Sequence, residues 1–154
     1  GFLMFENNLV CVSLENGGFI NSIGYYPESN QKIKDDKNNY INMEEVKLAY
    51  EYVSKNFEKS EKLNKLISSY KLKHLVEKAI GTYVSNGALI LAMSLAGFKF
   101  NDSLSSSSEI INVYFYFKNN EIILLSAFVK KTQSIPILEM KRAKKYMNDH
   151  IANN

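Results

Sequence analysis

The chain has 154 residues, of which 45 % are hydrophobic and 23 % charged, a composition typical of a folded globular protein and not of a disordered one. This length is about that of one domain, and no apolar run approaches the ~20 residues that a membrane-spanning helix needs. The first residues lack the basic start and long apolar core of a signal peptide. The single cysteine, Cys11, excludes an intramolecular disulfide and a cysteine-based zinc site. We therefore expect a cytoplasmic protein in a reducing compartment, with Cys11 as a buried thiol.

The charge is distributed unevenly along the chain. Residues 1–117 carry twelve lysines and thirteen acidic residues, whereas residues 118–154 carry seven basic and three acidic residues. A basic patch of this kind attracts phosphate backbones. The alternative is a solvated helix face that keeps the protein soluble.

The first forty residues predict a hairpin followed by a polar loop. Residues 8–14 are rich in β-branched side chains, and the sequence Glu15-Asn16-Gly17-Gly18 separates them from Phe19-Ile20. Asn-Gly supplies the two positive-φ positions of a tight hairpin turn. Residues 26–40, with a proline and clustered polar side chains, predict a loop.

Three helices are predicted between residues 43 and 96. Residues 43–58 follow the N-cap Asn42 and carry an apolar stripe of Val46, Ala49, Tyr50, Val53 and Phe57. A second helix is expected from Ser60 to Ile80, ended by Gly81, with Leu66, Ile67, Tyr70 and Val76 among its stripe. The third helix, 85–96, is capped by Ser85 or Asn86 and stopped by Gly97. It has no polar face, which predicts a central buried helix.

The last third changes to a β pattern. After the serine-rich residues 103–108, residues 110–117 and 121–128 flank Asn119-Asn120 and predict an antiparallel hairpin, and a basic helix is expected over 137–152. The tyrosines Tyr114 and Tyr116 would share one face of the strand and Phe115 and Phe117 the other. These elements predict one α+β domain over 1–154, a small antiparallel sheet packed against several helices. Its parts are a hairpin and polar loop over 1–40, a helical region over 41–100, and a hairpin with a basic helix over 101–154.

Residues of about 112–149 resemble a known family. The sequence VYFYFKNNEIILLSAFVKKTQSIP, continued by the basic helix, is similar to the C-terminal half of the phage-derived, HigB-like branch of the RelE/ParE toxin superfamily. Those proteins end in two such strands, a loop of the type x-K-K-T-Q-x-x-P, and a basic helix. The matching positions are Tyr114, Leu124, Leu125, Ala127, Phe128, Lys130, Lys131, Thr132, Gln133, Pro136, Glu139, Ala143 and Lys144.

The resemblance implies a toxin that binds ribosome-associated mRNA on a concave basic face and cleaves it with the RNA 2′-hydroxyl as nucleophile. Such a toxin is held inactive by an antitoxin protein, so antitoxin, mRNA and ribosome are the expected partners, without membrane, metal or cofactor. The implied catalytic residues are Lys130, Lys131 and Tyr114, with Tyr116 as the alternative ring. The implied RNA-binding residues are Lys130, Lys131, Thr132, Gln133, Lys141, Arg142, Lys144 and Lys145.

The sequence departs from the family at its arginines. Arg142 is the only arginine, the position of a second family arginine is Asn112, and the histidine of the family's last strand is Ser126. Lysine lacks the planar fork of a guanidinium. Two interpretations therefore remain: an endoribonuclease, or a catalytically silent protein-interaction module on the same scaffold.

A winged-helix DNA-binding protein is a further alternative, because helix 61–80, helix 85–96 and hairpin 110–128 follow in the right order. Its recognition helix would have to present polar side chains to base edges, whereas residues 88–93 are apolar. The two histidines, His74 and His150, have no histidine or cysteine partner at ligand spacing. We assign neither a metal-binding nor a catalytic role to them.

Overall fold

The computed structural model describes residues 2–6, 8–101 and 112–118, the first of these as backbone only. The chain divides into two units between Lys118 and Asn119, and the described residues belong to the first. The predicted turn at Asn119-Asn120, strand 121–128, helix 137–152 and serine-rich loop therefore lie outside the described residues. The fold of the described part is α+β, as the sequence predicts.

A five-stranded antiparallel sheet opens the fold. Its strands are β1 (Phe2–Glu6), β2 (Leu9–Ser13), β3 (Phe19–Ile20), β4 (Tyr25–Tyr26) and β5 (Ile41–Asn42). β1 pairs with the whole of β2. Two short strands share the other edge of β2: β3 pairs with Val12 and Ser13, and β5 pairs with Leu9 and Val10. β4 pairs with β3.

The predicted hairpin between β2 and β3 forms, but with a different turn. Gly17 has a φ of 91°, whereas Asn8 is the only described non-glycine residue with positive φ, so Asn16 does not adopt the second positive-φ position. The amide of Gly17 donates to the carbonyl of Leu14 at 3.1 Å, and the amide of Leu14 donates to the carbonyl of Gly18 at 2.8 Å. This is a type I turn followed by a left-handed glycine, which also matches the twist of paired strands.

Cys11 is fully buried, as predicted, and belongs to a small cluster with Phe19, Tyr26 and Tyr40. The rings of Phe19 and Tyr26 stack with their centroids 4.5 Å apart. Burial disfavours the thiolate and raises the pKa of Cys11. The thiol is therefore a packing group.

The polar stretch that follows contains more regular structure than the predicted loop. It includes the short helix α1 (Gln31–Lys34), capped by Asn30, and a 3₁₀ turn, Lys37–Asn39, capped by Asp36. Neither element contains a buried residue. They connect β4 to β5 over the surface.

Helix α2 (Met43–Asn56) begins where the sequence predicts. The Asn42 side chain accepts a hydrogen bond from the amide of Glu44 at 2.9 Å, and the two glutamates of the first turn complement the helix dipole. Val46, Ala49 and Val53 are buried. Tyr50, predicted on the same stripe, is instead 41 % exposed.

The prediction of a second helix from Ser60 to Ile80 is wrong over its first half. Helix α3 spans Ser69–Ile80, and residues 58–68 are not helical. Ser68 caps α3, and Gly81 ends it with a φ of 77°. Asn64 accepts hydrogen bonds from the amides of Leu66 and Ile67 on its side chain. Such local side-chain bonds compete with the helix, and Leu66 and Tyr70 of the predicted stripe are exposed.

Helix α4 (Asn86–Leu95) lies at the centre of the fold. Its residues from Asn86 to Met93 are all buried, which confirms the prediction drawn from its missing polar face. It contacts α2, α3, β3 and β5. Ser85, one of the two predicted caps, accepts from the amide of Ala88 at 3.1 Å. The buried helix cannot enter a DNA groove, so the winged-helix interpretation loses its recognition helix.

The N-terminus of α4 lies directly against the loop between β3 and β4. The amide of Gly87 donates to the carbonyl of Ser22 at 3.0 Å, and the Asn86 side chain donates to the carbonyl of Ile23 at 2.9 Å. A Cβ atom on Gly87 would lie 1.6 Å from the carbonyl oxygen of Asn21. Only glycine permits this approach of helix and loop.

A two-stranded antiparallel sheet completes the described part. It consists of β6 (Phe100–Asn101) and β7 (Tyr114–Phe115). Phe100 links the two sheets, since its ring packs edge-on to Tyr25 at 5.2 Å and to Phe115 at 6.0 Å. Within the described ranges, no helix is long and apolar enough to cross a bilayer.

Replacement of Gly87 by alanine should destabilise the protein by about 3 kcal/mol, because the added methyl group meets backbone atoms that cannot rotate away. Urea denaturation followed by circular dichroism measures this loss. Ser94→Ala in the same helix is the matched control, since the buried Ser94 hydroxyl has no hydrogen-bond partner among the described residues. Equal stability of the Gly87→Ala variant and the wild type would contradict the close approach.

Candidate functional site

The segment 112–118 passes between two other parts of the chain. On one side, β7 pairs with β6, and the amide of Tyr116 donates to the carbonyl of Lys99 at 2.9 Å. On the other side, the amides of Asn64 and Ser69 donate to the carbonyls of Phe115 and Val113 at 2.9 and 2.7 Å. The non-helical residues 58–68 are thus held in place by the strand segment, and no local pattern in them predicts this.

The side chains of this segment alternate as predicted. Val113, Phe115 and Phe117 are buried, whereas Tyr114 and Tyr116 are partly exposed. The two tyrosines therefore share one face and the phenylalanines the other. Antiparallel pairing of residues 110–117 with 121–128 falls outside the described residues, and the partner seen for β7 is β6.

One wall of a surface groove is formed by this segment. The groove has a volume of about 920 Å³, and we call it the basic groove. Its lining comes from three separate parts of the chain and comprises Lys59, Ser60, Glu61, Gly97, Phe98, Lys99, Phe100, Tyr116 and Lys118. Three lysines and one glutamate line it, which favours an anionic ligand.

The three lysines of the basic groove have different surroundings. Lys59 lies across Gly97 at the end of α4, with its ammonium group 5.8 Å from the centre of the Phe98 ring. Lys118 forms an exposed ion pair with Glu58 at 3.2 Å. Such a pair contributes little to stability and is readily exchanged for another anion. Lys99 is exposed, and its backbone carbonyl accepts a hydrogen bond from the amide of Tyr116, so the two residues lie side by side in the groove.

Aromatic rings also line the basic groove. Tyr116 is partly exposed, and its hydroxyl accepts a hydrogen bond from the Asn101 side chain at 3.4 Å. Tyr114, the predicted catalytic ring, does not line the groove. It lies in β7 opposite Asn101 and forms a bridge with Ser68. Of the two rings considered in the sequence, Tyr116 is therefore the one placed beside lysines.

The other predicted site residues belong to the last part of the chain. They all lie outside the described residues: Lys130, Lys131, Thr132, Gln133, Lys141, Arg142, Lys144 and Lys145. Asn112 is exposed, and its side chain accepts a hydrogen bond from the buried Asn86 side chain at 2.9 Å. This hydrogen bond connects Asn112 to the first residue of α4.

Sequence reasoning missed Lys59 and Lys99 as site residues. They are separated by forty positions, and Lys59 lies between the two helices predicted over 43–58 and from Ser60 to Ile80. Lys118 was grouped with the basic C-terminal residues. The alternation of apolar residues and tyrosines over 113–117 predicts that Tyr116 faces away from the core. It does not predict which segments of the chain lie on either side of this strand.

A second polar cluster lies on α3. The Glu77 carboxylate accepts from the Lys73 ammonium at 2.7 Å, from the His74 Nδ1 at 3.0 Å and from the amide of Val84 at 3.2 Å. Lys73 is almost fully buried and lies 4.6 Å from the centre of the Tyr83 ring. These contacts connect the loop before α4 to helix α3. Each of the side chains named has a partner within the cluster, so we assign the cluster a structural role.

The environment of Glu77 acts on its pKa in two directions. Burial raises the pKa, but hydrogen bonds from Lys73, Val84 and His74, with the charge of Lys73, outweigh it and hold the pKa below its ordinary value of 4.5. Within the described ranges, no group of three or more His, Cys, Asp or Glu side chains is arranged to hold a metal ion.

Comparison with known proteins gave no relative. No protein-family model, curated protein or solved structure matches this chain.

Replacement of Glu77 by glutamine should lower the free energy of unfolding by about 2 kcal/mol at neutral pH, because Lys73 loses its counter-charge in a buried position. A carboxylate with a lowered folded-state pKa stabilises the fold above its unfolded-state pKa, and this contribution disappears as the pH falls through the folded-state value. The difference between variant and wild type should therefore shrink below about pH 4.5. Urea denaturation at neutral and acidic pH measures it.

Glu51→Gln, on the exposed face of α2, is the matched control and should show no such pH-dependent difference. If Glu77→Gln costs the same at both pH values, the stabilising role of the Glu77 charge is refuted.

Proposed function

We propose that this protein is a RelE/HigB-like, toxin-type protein that binds RNA, and that the basic groove holds part of the RNA chain. The observation that carries the proposal is the convergence of Lys59, Lys99 and Lys118 with Tyr116 on one groove. The segment that supplies Tyr116 and Lys118 is also the first part of the toxin-like sequence.

The chemistry of the groove suits single-stranded nucleic acid. Lysine ammonium groups neutralise phosphates as compact point charges, and a partly exposed aromatic ring can stack on a base. The groove is lined by both kinds of group within one concavity. The basic residues of 118–154 account for the excess of positive charge in the chain.

Antitoxin, ribosome and mRNA are the partners that this proposal includes. Cleavage of the RNA is a further step, and it would depend on Lys130 and Lys131, the cations that match the toxin loop. Stabilisation of a phosphorane-like transition state needs cations placed where the charge develops. The basic groove by itself supports binding.

Replacement of all three groove lysines by glutamine should weaken RNA binding and make it less sensitive to salt. Each lost phosphate contact lowers the number of released counterions, so the slope of log K against log salt should become shallower by about 2 for single-stranded RNA. Glutamine keeps most of the side-chain stem, including the stem of Lys59 over Gly97. Fluorescence anisotropy with a labelled RNA oligonucleotide at several salt concentrations measures the slope.

The matched control replaces Lys55, Lys71 and Lys78, which are exposed on α2 and α3, by glutamine. It changes the net charge by the same amount but leaves the groove intact. If the control weakens binding as much as the groove variant does, only the net charge matters and the groove is not the RNA site.

Expression of the wild-type protein should slow bacterial growth, and replacement of Lys130 and Lys131 by alanine should relieve this effect. The reason is that both lysines occupy the toxin-like loop, where they would contact RNA. Growth curves, together with primer-extension analysis of cellular mRNA, distinguish arrest by binding from arrest by cleavage.

The double variant Lys55→Ala, Lys71→Ala serves as the control for lost charge. A wild-type protein that neither slows growth nor associates with ribosomes would contradict the toxin proposal. The catalytically silent interaction module would then be the better interpretation of the same scaffold.

A further inference from the structure

We propose that Asn16 is a site of spontaneous deamidation in the folded protein, and that Asn86 is protected although it has the same neighbour. The dipeptide Asn-Gly occurs twice in the chain, as Asn16-Gly17 and as Asn86-Gly87. A glycine after asparagine offers the least steric hindrance to ring closure, so both sites are reactive in an unfolded chain. The fold places them in opposite surroundings.

Asn16 lies at the exposed tip of the turn between β2 and β3. Its side-chain oxygen accepts from the amide of Gly18 at 2.9 Å, which folds the side chain over the backbone of Gly17. Apart from Gly17 itself and its two chain neighbours, no residue has an atom within 4 Å of the position where a Cβ on Gly17 would be. The ring that deamidation forms therefore has space beside Gly17. Ring closure requires three hydrogen bonds to open, the one from the Gly17 amide to Leu14 and those of the Asn16 side chain with Gly18 and Tyr25, whereas no helix has to move.

Asn86 lies in the first turn of the buried helix α4, where it is 5 % exposed. Its side-chain nitrogen donates to the carbonyl of Ile23 and to the side chain of Asn112, both at 2.9 Å. The amide of Gly87 donates to the carbonyl of Ser22, and backbone atoms of the loop leave no room beside Gly87. Reaction at Asn86 requires the start of α4 to leave this loop.

The reaction needs only water and hydroxide. Hydroxide removes the amide proton of Gly17, and the nitrogen attacks Cγ of Asn16 to form a new N–C bond. The bond from Cγ to Nδ2 breaks, and ammonia leaves after taking a proton from water. Water then adds to either carbonyl of the resulting succinimide and opens the ring, which gives aspartate or isoaspartate.

The product would change the contacts of the hairpin. The Asn16 side-chain nitrogen donates to the hydroxyl of Tyr25 at 3.1 Å, and this donor is lost when the amide becomes a carboxylate. Tyr25 is only 1 % exposed and belongs to β4. Isoaspartate also lengthens the main chain by one methylene group in the turn that sets the register of β2 and β3.

Incubation of the full-length protein at mildly alkaline pH, followed by tryptic digestion and mass spectrometry, tests the proposal. The two sites fall in different tryptic peptides, residues 1–32 and 79–99, and fragmentation assigns the position within each. We expect native protein to deamidate at Asn16 at least about tenfold faster than at Asn86, because Asn86 reacts only after local opening. In urea-denatured protein, the two rates should become comparable.

Asn16→Gln is the control variant, since glutamine would have to close a larger ring and should remain unmodified at this position. The proposal is overturned if Asn16 reacts no faster than Asn86 in native protein. It is also overturned if Asn16 reacts only in the denatured chain, which would show that the turn protects it.

Discussion

The fold depends on the burial of a helix that has no polar face. Every residue of α4 from Asn86 to Met93 is removed from solvent, so protein must cover the helix on all sides. Helices α2 and α3 cover part of it, and β3 and β5 cover another part. The contact at Gly87, where the helix meets the loop after β3 without a side chain between them, fixes how the sheet and the helices are placed.

The basic groove is a consequence of how α4 ends. Gly97 stops the helix with a φ of 92°, and the chain continues as Phe98, Lys99 and Phe100 into a short strand. That strand pairs with residues 114–115, and the segment 113–118 that contains them forms backbone hydrogen bonds with residues between 58 and 69. Three distant parts of the sequence therefore meet beyond one helix end. Of the aromatic residues that line the groove, Phe98 is buried, whereas Lys59, Lys99 and Lys118 are exposed, as expected for long side chains with charged ends.

The elements with strong local signals could be predicted from the sequence. Helix α2 had an N-cap and acidic first turn, α4 had a cap and a uniformly apolar run, and the first hairpin had its glycines. Residues 60–68 could not be predicted in the same way. Their apolar spacing resembles a helix, but their structure is decided by backbone bonds to residues 113–118, which are about fifty positions away. The same long-range pairing creates the basic groove, so Lys59 and Lys99 carried no recognisable signal.

The side chains of the groove are better suited to binding an anion than to transferring protons. Its cations are lysines, which hold phosphates without the directional fork of an arginine, and its ionisable partners are Glu61 and the nearby Glu58. The one described histidine, His74, is bonded to Glu77 within the cluster that braces α3 against the loop before α4. Within the described ranges, the residues are therefore equipped to hold an anionic chain more than to move its protons.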